Sequence, residues 1–373
     1  MKILFVEPRV PTPNRDGGSF RKTHLLRMLL DMGADVSFLP EFADAWPPFD
    51  RSSTEDRRSL KDMNVTLVTQ SLREHLIANS TRYDVIVLAT APIAAKYISW
   101  VRENALNAEL VFDTVDLHYV RAYREAKVNR NLHALQNSMQ LKRMELAAVK
   151  CADHVWVVSE TEKSTLEREV PSARLSVIPN VHETADNVPG FSQRDGIFFL
   201  GSYTFSPNVH AVKAFVKDVF PILQKKNPDL HFHIVGADPT PEILELANNR
   251  IHVTGFVENL IDFLNLRRVC IAPLAFGAGI KGKILLSMGM GIPVVTNDIG
   301  AEGIPGRSGV HWITANAAET WAEEIQRTYT DQTRWESLSE KGRELVQRHY
   351  SSATVSEALR NALVFKKGTS SYA

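Results

Sequence analysis

The sequence predicts an α/β protein built of two Rossmann-like domains, each a doubly wound parallel sheet. At 373 residues the chain exceeds one ordinary core and suggests about two domains. Short apolar, β-branched runs recur between stretches of helical pattern, and that alternation builds parallel sheets. The alternation stops once, at a polar segment, and then restarts.

In the first half the runs are "ILFVEP" (3–8), "DVSFLP" (35–40), "NVTLVT" (64–69), "DVIVLA" (84–89), "ELVFDT" (109–114), "HVWVVS" (154–159) and "LSVIPN" (175–180). They are mostly continuous rather than alternating, as in strands buried on both faces. Helical segments such as 18–32 and 91–104 separate them. Segment 41–62 carries "WPP" and no clear period. It reads as a long surface loop with a short helix, either functional or mere filler. Segment 183–195, polar with Pro and Gly, reads as a linker. The second set follows: "IFFLG" (197–201), "LHFHIVG" (230–236), "IHVTG" (251–255), "VCIAPL" (269–274), "IPVVTN" (292–297) and "GVHWIT" (309–314). Residues 316–365 are nearly all helical pattern, and the tail "KKGTSSYA" reads as disordered.

Composition narrows the function. With 44% hydrophobic and 23% charged residues the chain falls in the ordinary soluble-globular class. Lys+Arg and Asp+Glu both number 43, which argues against a protein living mainly on nucleic acid. Cys151 and Cys270 sit in or beside apolar segments and read as small buried hydrophobes. No disulfide framework or metal-ligand spacing exists, so a reducing cytoplasm is expected. "MKILFVEPRV" is too short an apolar run for a signal peptide, and no uncharged stretch of about 18 residues could span a membrane.

Chemistry-bearing residues cluster where strands end. "FVEPRVPTPNRDGGSFRKTHLL" runs from the first strand into Asp16-Gly17-Gly18-Ser19 and a helix. Asp16 or Ser19 caps it. Gly17 and Gly18 allow close backbone approach to a ligand, and the helix start favours an anion. A turn with a cap explains the same residues. The stretch is not GxGxxG, so a nicotinamide fingerprint is absent. "VFDTVDLHYVRAYREA" (111–126) places Asp113, Asp116 and His118 just past a strand's carboxyl end, where open α/β sheets bind ligands. His118 can exchange a proton or bond a hydroxyl near neutral pH. The competing reading is a hydrogen-bonded structural cluster, with Arg121 and Arg124 as paired surface charges. Ser159 and Glu162 read as a capping box.

In the second half, "FFLGSYTFSPNVHAVKAF" is a strand, Gly201, a polar loop and a helix that Asn208 would cap, again a phosphate face. "VTGFVENL" puts Phe256 and Val257 after a strand, as a lip over a base or as core packing. "IAPLAFGAGIKGKILLSMGMGIPVVT" is a strand, a loop with Gly277, Gly279 and Gly282, a helix to about Met290 and another strand. Lys281 and Lys283 stand at that helix's N-terminus, which disfavours each cation by about 0.3–1 kcal/mol unless an anion compensates. A phosphate between glycines and lysines resolves the conflict; solvated lysines are the alternative.

In this order the motifs resemble the GT-B-fold glycosyltransferases of family 4, retaining enzymes that use nucleotide sugars. The likeness runs from Met1 to about Tyr350, and the "PL…GAGIKGK" form looks like a branch common in bacterial polysaccharide assembly. The resemblance implies two Rossmann-like domains facing across a cleft. Residues 1–182 with about 350–373 would form the acceptor side, and 196–349 the donor domain, the final helix (352–365) crossing back. Gly17 and Gly18 would offer backbone donors to the donor diphosphate or sugar. Asp116 and His118 would lie near sugar and acceptor as the catalytic pair. Gly201, Asn208, Gly279, Lys281 and Lys283 would hold the diphosphate, and Val257 would meet the nucleobase. The implied partners are a nucleotide-diphosphate sugar and a lipid-linked or protein-linked glycan, with no metal and no cofactor.

The sequence departs from that family twice. The loop Ser202–Asn208 carries no cation where members often have Arg and Lys. Leu286 and Ala278 stand where the family has a pair of carboxylates, one of which binds ribose. A non-catalytic partner that only binds acceptor is therefore the competing function; a GT-B epimerase would need an acid/base carboxylate pair that cannot be assigned. Arg21, Lys22 and Arg27, with Arg57, Arg58 and Lys61, read either as a solvated face or as a patch for anionic headgroups at the membrane's inner face.

Overall fold

The computed structural model of the protein describes residues 1–13, 16–41 and 54–363. Most of the expected 41–62 loop, including "WPP", and the expected disordered tail lie outside the described residues. The short helix expected there is Thr54–Asp62.

The first sheet contains β1 (Lys2–Glu7), β2 (Asp35–Pro40), β3 (Thr66–Leu67), β4 (Val85–Ala89), β5 (Glu109–Asp113), β6 (His154–Val157) and β7 (Leu175–Val177). Their order is β3-β2-β1-β4-β5-β6-β7, and every pairing is parallel. The second holds β8 (Asp195–Leu200), β9 (Phe232–Val235), β10 (Ile251–Gly255), β11 (Arg267–Ala272), β12 (Val294–Thr296) and β13 (Ile313–Thr314). Their order is β10-β9-β8-β11-β12-β13, also all parallel. The chain reverses direction across the sheet at β1 and at β8, so each sheet opens a crevice at the carboxyl ends of those strands.

Continuous apolar runs make this arrangement, because each sheet is covered on both faces. Leu4, Val6, Ile86 and Leu88 face one apolar layer; Ile3, Phe5, Val85 and Val87 face the other. Ile197 and Phe199 against Phe198 do the same in the second sheet. The last described helix, Ser352–Ala362, sends Val355, Leu359 and Ala362 into the first sheet's core. The segment between the sheets is anchored: Arg194, 1% exposed, donates to the carbonyls of Pro189, Leu264 and Met290. Among the described residues no helix is long and apolar enough to cross a membrane.

Two buried ion pairs lock helix Gly17–Asp31 to the first sheet. Arg21 Nη1 meets Asp113 Oδ2 at 2.6 Å, and Lys22 pairs with Glu7. Burial raises the Glu7 carboxyl to about 7 against the pull of Lys22. This corrects one expectation: Arg21 and Lys22 are 2% and 7% exposed and present no charge to a lipid surface.

Replacing Arg21 alone would leave Asp113 charged and uncompensated in the interior. Arg21→Met is expected to lower unfolding stability by about 3–5 kcal/mol, read from urea denaturation, while Arg21→Met with Asp113→Leu regains much of the loss.

Candidate functional site on the domain seam

Helix His118–Val128 carries the first domain's side of the seam. Its approach loop begins at Asp113, the end of β5, and is held from every side. Thr114 N–H and hydroxyl both donate to Trp156 O. Leu117 N–H donates to Glu162 Oε1 at 3.1 Å, while His118 and Tyr119 N–H donate to the two oxygens of Glu145 at 3.3 and 3.1 Å. These carboxylates satisfy the amides that open a helix, which otherwise lack partners. Val115 adopts φ +62°, a conformation that a β-branched residue rarely takes and that persists only where the surroundings impose it.

The sequence signals for these supports were partial. Ser159 does cap helix Glu160–Glu169. Glu162, expected to complete a capping box, instead reaches across to Leu117 and Val158. Glu145 carries no comparable sequence signal; its only signature is an acid on the stripe of helix Leu132–Cys151 that buries Ser138, Ala148 and Val149. Burial pushes Glu145 up to about 8 and Glu162 to about 7, with Asp116 adding to both.

Asp116 and His118 come together. His118 Nε2 lies 3.1 Å from Asp116 Oδ1, and Arg121 pairs with the other carboxylate oxygen. Oδ1 itself receives no hydrogen bond from the described residues. Burial holds His118 below the usual histidine range, so the ring is neutral at pH 7 despite Asp116. Across the seam, Gly279 sits at φ +66°; a Cβ there would stand 2.9 Å from Asp116 Cβ. Only a glycine lets the two domains approach at this point.

The expected phosphate-facing residues of the second domain divide into two groups. Gly201, Asn208 and Lys283 meet at the carboxyl end of β8. A Cβ on Gly201 would fall 2.5 Å from Asn208 Nδ2. Asn208 is not the cap expected from sequence; Phe205 holds that place in helix Ser206–Ala214. Instead the Asn208 amide donates to Ser202 O at 2.8 Å and accepts from Lys283 Nζ at 2.6 Å. Lys283 also lies 3.9 Å from the Phe199 ring centre. Among the described residues no carboxylate pairs with it, and burial depresses its ammonium to about 7.

Lys281 belongs to the seam instead. Its Nζ donates to Gly279 O at 2.8 Å and stands 3.6 Å from Glu302. Arg124 clasps Glu302 through two bonds of 2.6 and 2.7 Å, and also donates to Gly277 O. Arg121 covers Phe205, and Ser206 donates to Glu125, so one helix face carries the interdomain polar contacts. Arg121 and Arg124 are thus paired charges. Gly17 and Gly18 open the helix that Asp16 caps, and Arg21 ties that helix to Asp113 at the start of the loop. Val257 is half-buried after β10, packed on the second domain's apolar cluster. Leu286 packs on that cluster too.

Residues 194–331 match the family described as Glycosyl transferases group 1. No curated protein matches the chain by sequence. Among solved structures, a sucrose-phosphate synthase from Thermosynechococcus elongatus is 16% identical at TM-score 0.72, covering 97% of this chain and 98% of that one. Anabaena HepE, solved with UDP and glucose, is 14% identical at TM-score 0.69, with 97% and 98% covered. A glycosyltransferase from Rickettsia africae is 15% identical at TM-score 0.62, with 98% and 99% covered. The fold is GT-B, and the family match falls on the second domain.

Glu145 and Glu162 hold a proton more firmly in the fold than in the unfolded chain, where the value is 4.5. Their contribution to stability is full below that value and is lost as pH rises through about 7 and 8. Buried Lys281 and half-buried Lys283 titrate in the opposite sense, so the variant-minus-wild-type difference is the readout. Glu145→Gln is expected to lose most melting temperature relative to wild type at about pH 5, and least above about pH 8.

Proposed function

We propose that the protein is a retaining, metal-independent glycosyltransferase that moves a sugar from a nucleotide-diphosphate donor to a lipid-linked or protein-linked glycan. The single observation that carries this reading is Lys283, a half-buried ammonium with no carboxylate among the described residues, fixed by Asn208 beside Gly201. A buried cation without a counter-charge is costly unless an anion arrives. The starts of helices Ser206–Ala214 and Gly282–Gly289 lie beside it and favour the same charge. UDP in the HepE structure fits that chemistry.

As the glycosidic bond breaks, negative charge grows on the leaving diphosphate. Lys283 and the helix starts are already in place to stabilise it, without reorganisation at the moment of reaction. No residue is required as nucleophile: the acceptor hydroxyl attacks on the face the diphosphate leaves, and the diphosphate takes its proton. The Asp116 carboxylate, held by Arg121 and beside His118 Nε2 at 3.1 Å, would accept from a sugar hydroxyl. Neutral His118 would hold a second hydroxyl. Lys281 contributes less, because Glu302 already balances its charge. The reaction would take place in the cytoplasm, with any membrane contact at its inner face.

Leu286 and Ala278 favour a second reading, a glycosyltransferase-like chain that binds acceptor and transfers nothing. Leu286 packs on an apolar cluster and cannot accept a ribose hydrogen bond. Calorimetry with UDP, GDP and dTDP separates the two: binding of none of them favours the second.

For the nucleotide that binds, Lys283→Ala is expected to lose about 1.5–3 kcal/mol of affinity, roughly ten- to a hundredfold, and Lys281→Ala clearly less. Unchanged affinity in Lys283→Ala would overturn the assignment. Because only the protonated amine attracts the diphosphate, wild-type affinity falls as pH rises above about 7, and Lys283→Ala loses that dependence.

A further inference from the structure

Acids and bases are equal in number over the whole chain, yet residues 126–144 hold four cations, Lys127, Arg130, Lys142 and Arg143, and no acid. This stretch joins the end of helix His118–Val128 to the first part of helix Leu132–Cys151. Every residue from Lys127 to His133 is exposed, so the turn between the helices stands out as a convex tip. One stripe of the second helix continues it. Leu132, Gln136, Met139 and Arg143 recur at i, i+4, i+7 and i+11, and all four are exposed. The stripe through Ser138, Glu145 and Val149 is the one that faces the domain.

Two properties meet on this hairpin. The first is apolar: Leu132 is 77% and Met139 50% exposed, with Tyr123, Val128 and Met144 exposed on the same two helices. A single apolar side chain in water needs no explanation, but a group of them marks a contact surface. The second is charge. Lys142 is matched by Glu169 at 2.6 Å. Lys127 lies over the Tyr123 ring at 4.9 Å, and neither it nor Arg130 nor Arg143 pairs with a carboxylate among the described residues. Arg121 and Arg124, on the same helix as Lys127, are both paired.

The occupant has to bring negative charge and an apolar layer together. A second copy of the chain does not, because a two-fold contact here would set the unpaired cations against each other. An anionic bilayer brings both: phosphates for the cations and acyl chains for the apolar side chains. We propose that the hairpin of helices His118–Val128 and Leu132–Cys151 docks the protein on an anionic lipid surface. Leu132 and Met139 enter the headgroup layer, and Lys127, Arg130 and Arg143 meet phosphates. Exposure and charge alone carry this surface, while its use rests on the transferase reading above. Helix His118–Val128 spans about 15 Å from the tip to His118, so a docked chain holds the seam close to a lipid-linked acceptor.

The test is sedimentation of the full chain with vesicles of phosphatidylcholine alone or mixed with phosphatidylglycerol. Wild type is expected to bind the anionic vesicles, to leave them in high salt and to ignore the neutral ones. Leu132→Asp and Met139→Asp are each expected to weaken binding about tenfold, and Arg130→Gln with Arg143→Gln about twentyfold, near fivefold per cation. Leu132→Trp is expected to tighten it, an outcome that a damaged fold cannot imitate. All these positions are exposed, and circular dichroism checks that the variants fold. Nucleoside-diphosphate affinity is expected to hold in each. No binding to anionic vesicles, equal binding to neutral ones, or variants that bind like wild type overturn the proposal. A dimer of the full chain that Leu132→Asp abolishes assigns the hairpin to a second copy and overturns it too. Vesicle binding by a chain that binds no nucleoside diphosphate would sink the transferase reading while the docking surface stood.

Discussion

Three backbone amides govern the site. The N–H groups of Leu117, His118 and Tyr119 open a helix that starts in the interior, where water cannot satisfy them. Glu145 and Glu162 come from two other helices to do so. Burying carboxylates is unfavourable, as their raised values show, yet leaving three amides bare would be worse. The same bonds force Val115 into its strained turn, and that turn sets Asp116 against Gly279. Loop position, the Asp116–His118 contact and the approach of the domains therefore share one cause.

Charge is sorted along the cleft. On the seam, Arg121, Arg124 and Lys281 each have a carboxylate within reach, and the Arg124–Glu302 pair joins the domains. At the mouth of β8, Lys283 has none among the described residues. The two lysines lie two residues apart and look equivalent in sequence, but the helix start between them points them into different surroundings. One is balanced by Glu302; the other meets Asn208 and the Phe199 ring.

The fold was legible because its signals are local. Continuous apolar runs, their spacing and the polar break at 183–195 all follow from burying both faces of two sheets. Parts of the site were legible for the same reason: glycines and lysines at strand ends sit where a parallel sheet places ligands. What the sequence hid was long-range. Asn208 reads as a cap, but its partner is Lys283, 75 positions away. Glu162 reads as half of a capping box, but 45 residues separate it from Leu117. Arg21 and Lys22 read as surface charge because their partners, Asp113 and Glu7, lie on strands and not on the same helix.

Leu286 and Ala278 take on a physical sense in this setting. An acid at 286 would stand one turn beyond Lys283 on the same helix, the i, i+3 distance at which opposite charges pair. Leucine there removes that competitor, and the ammonium keeps its unbalanced state. An acid at 278 would stand beside Gly279 on the seam, where Arg121, Arg124 and Lys281 already have carboxylate partners. Both replacements thus act in one direction: they leave Lys283 without a carboxylate among the described residues and add no acid to the paired charges of the seam. On the transferase reading, holding a ribose would then fall to groups other than a carboxylate at 286, since Leu286 packs on an apolar cluster and offers no acceptor.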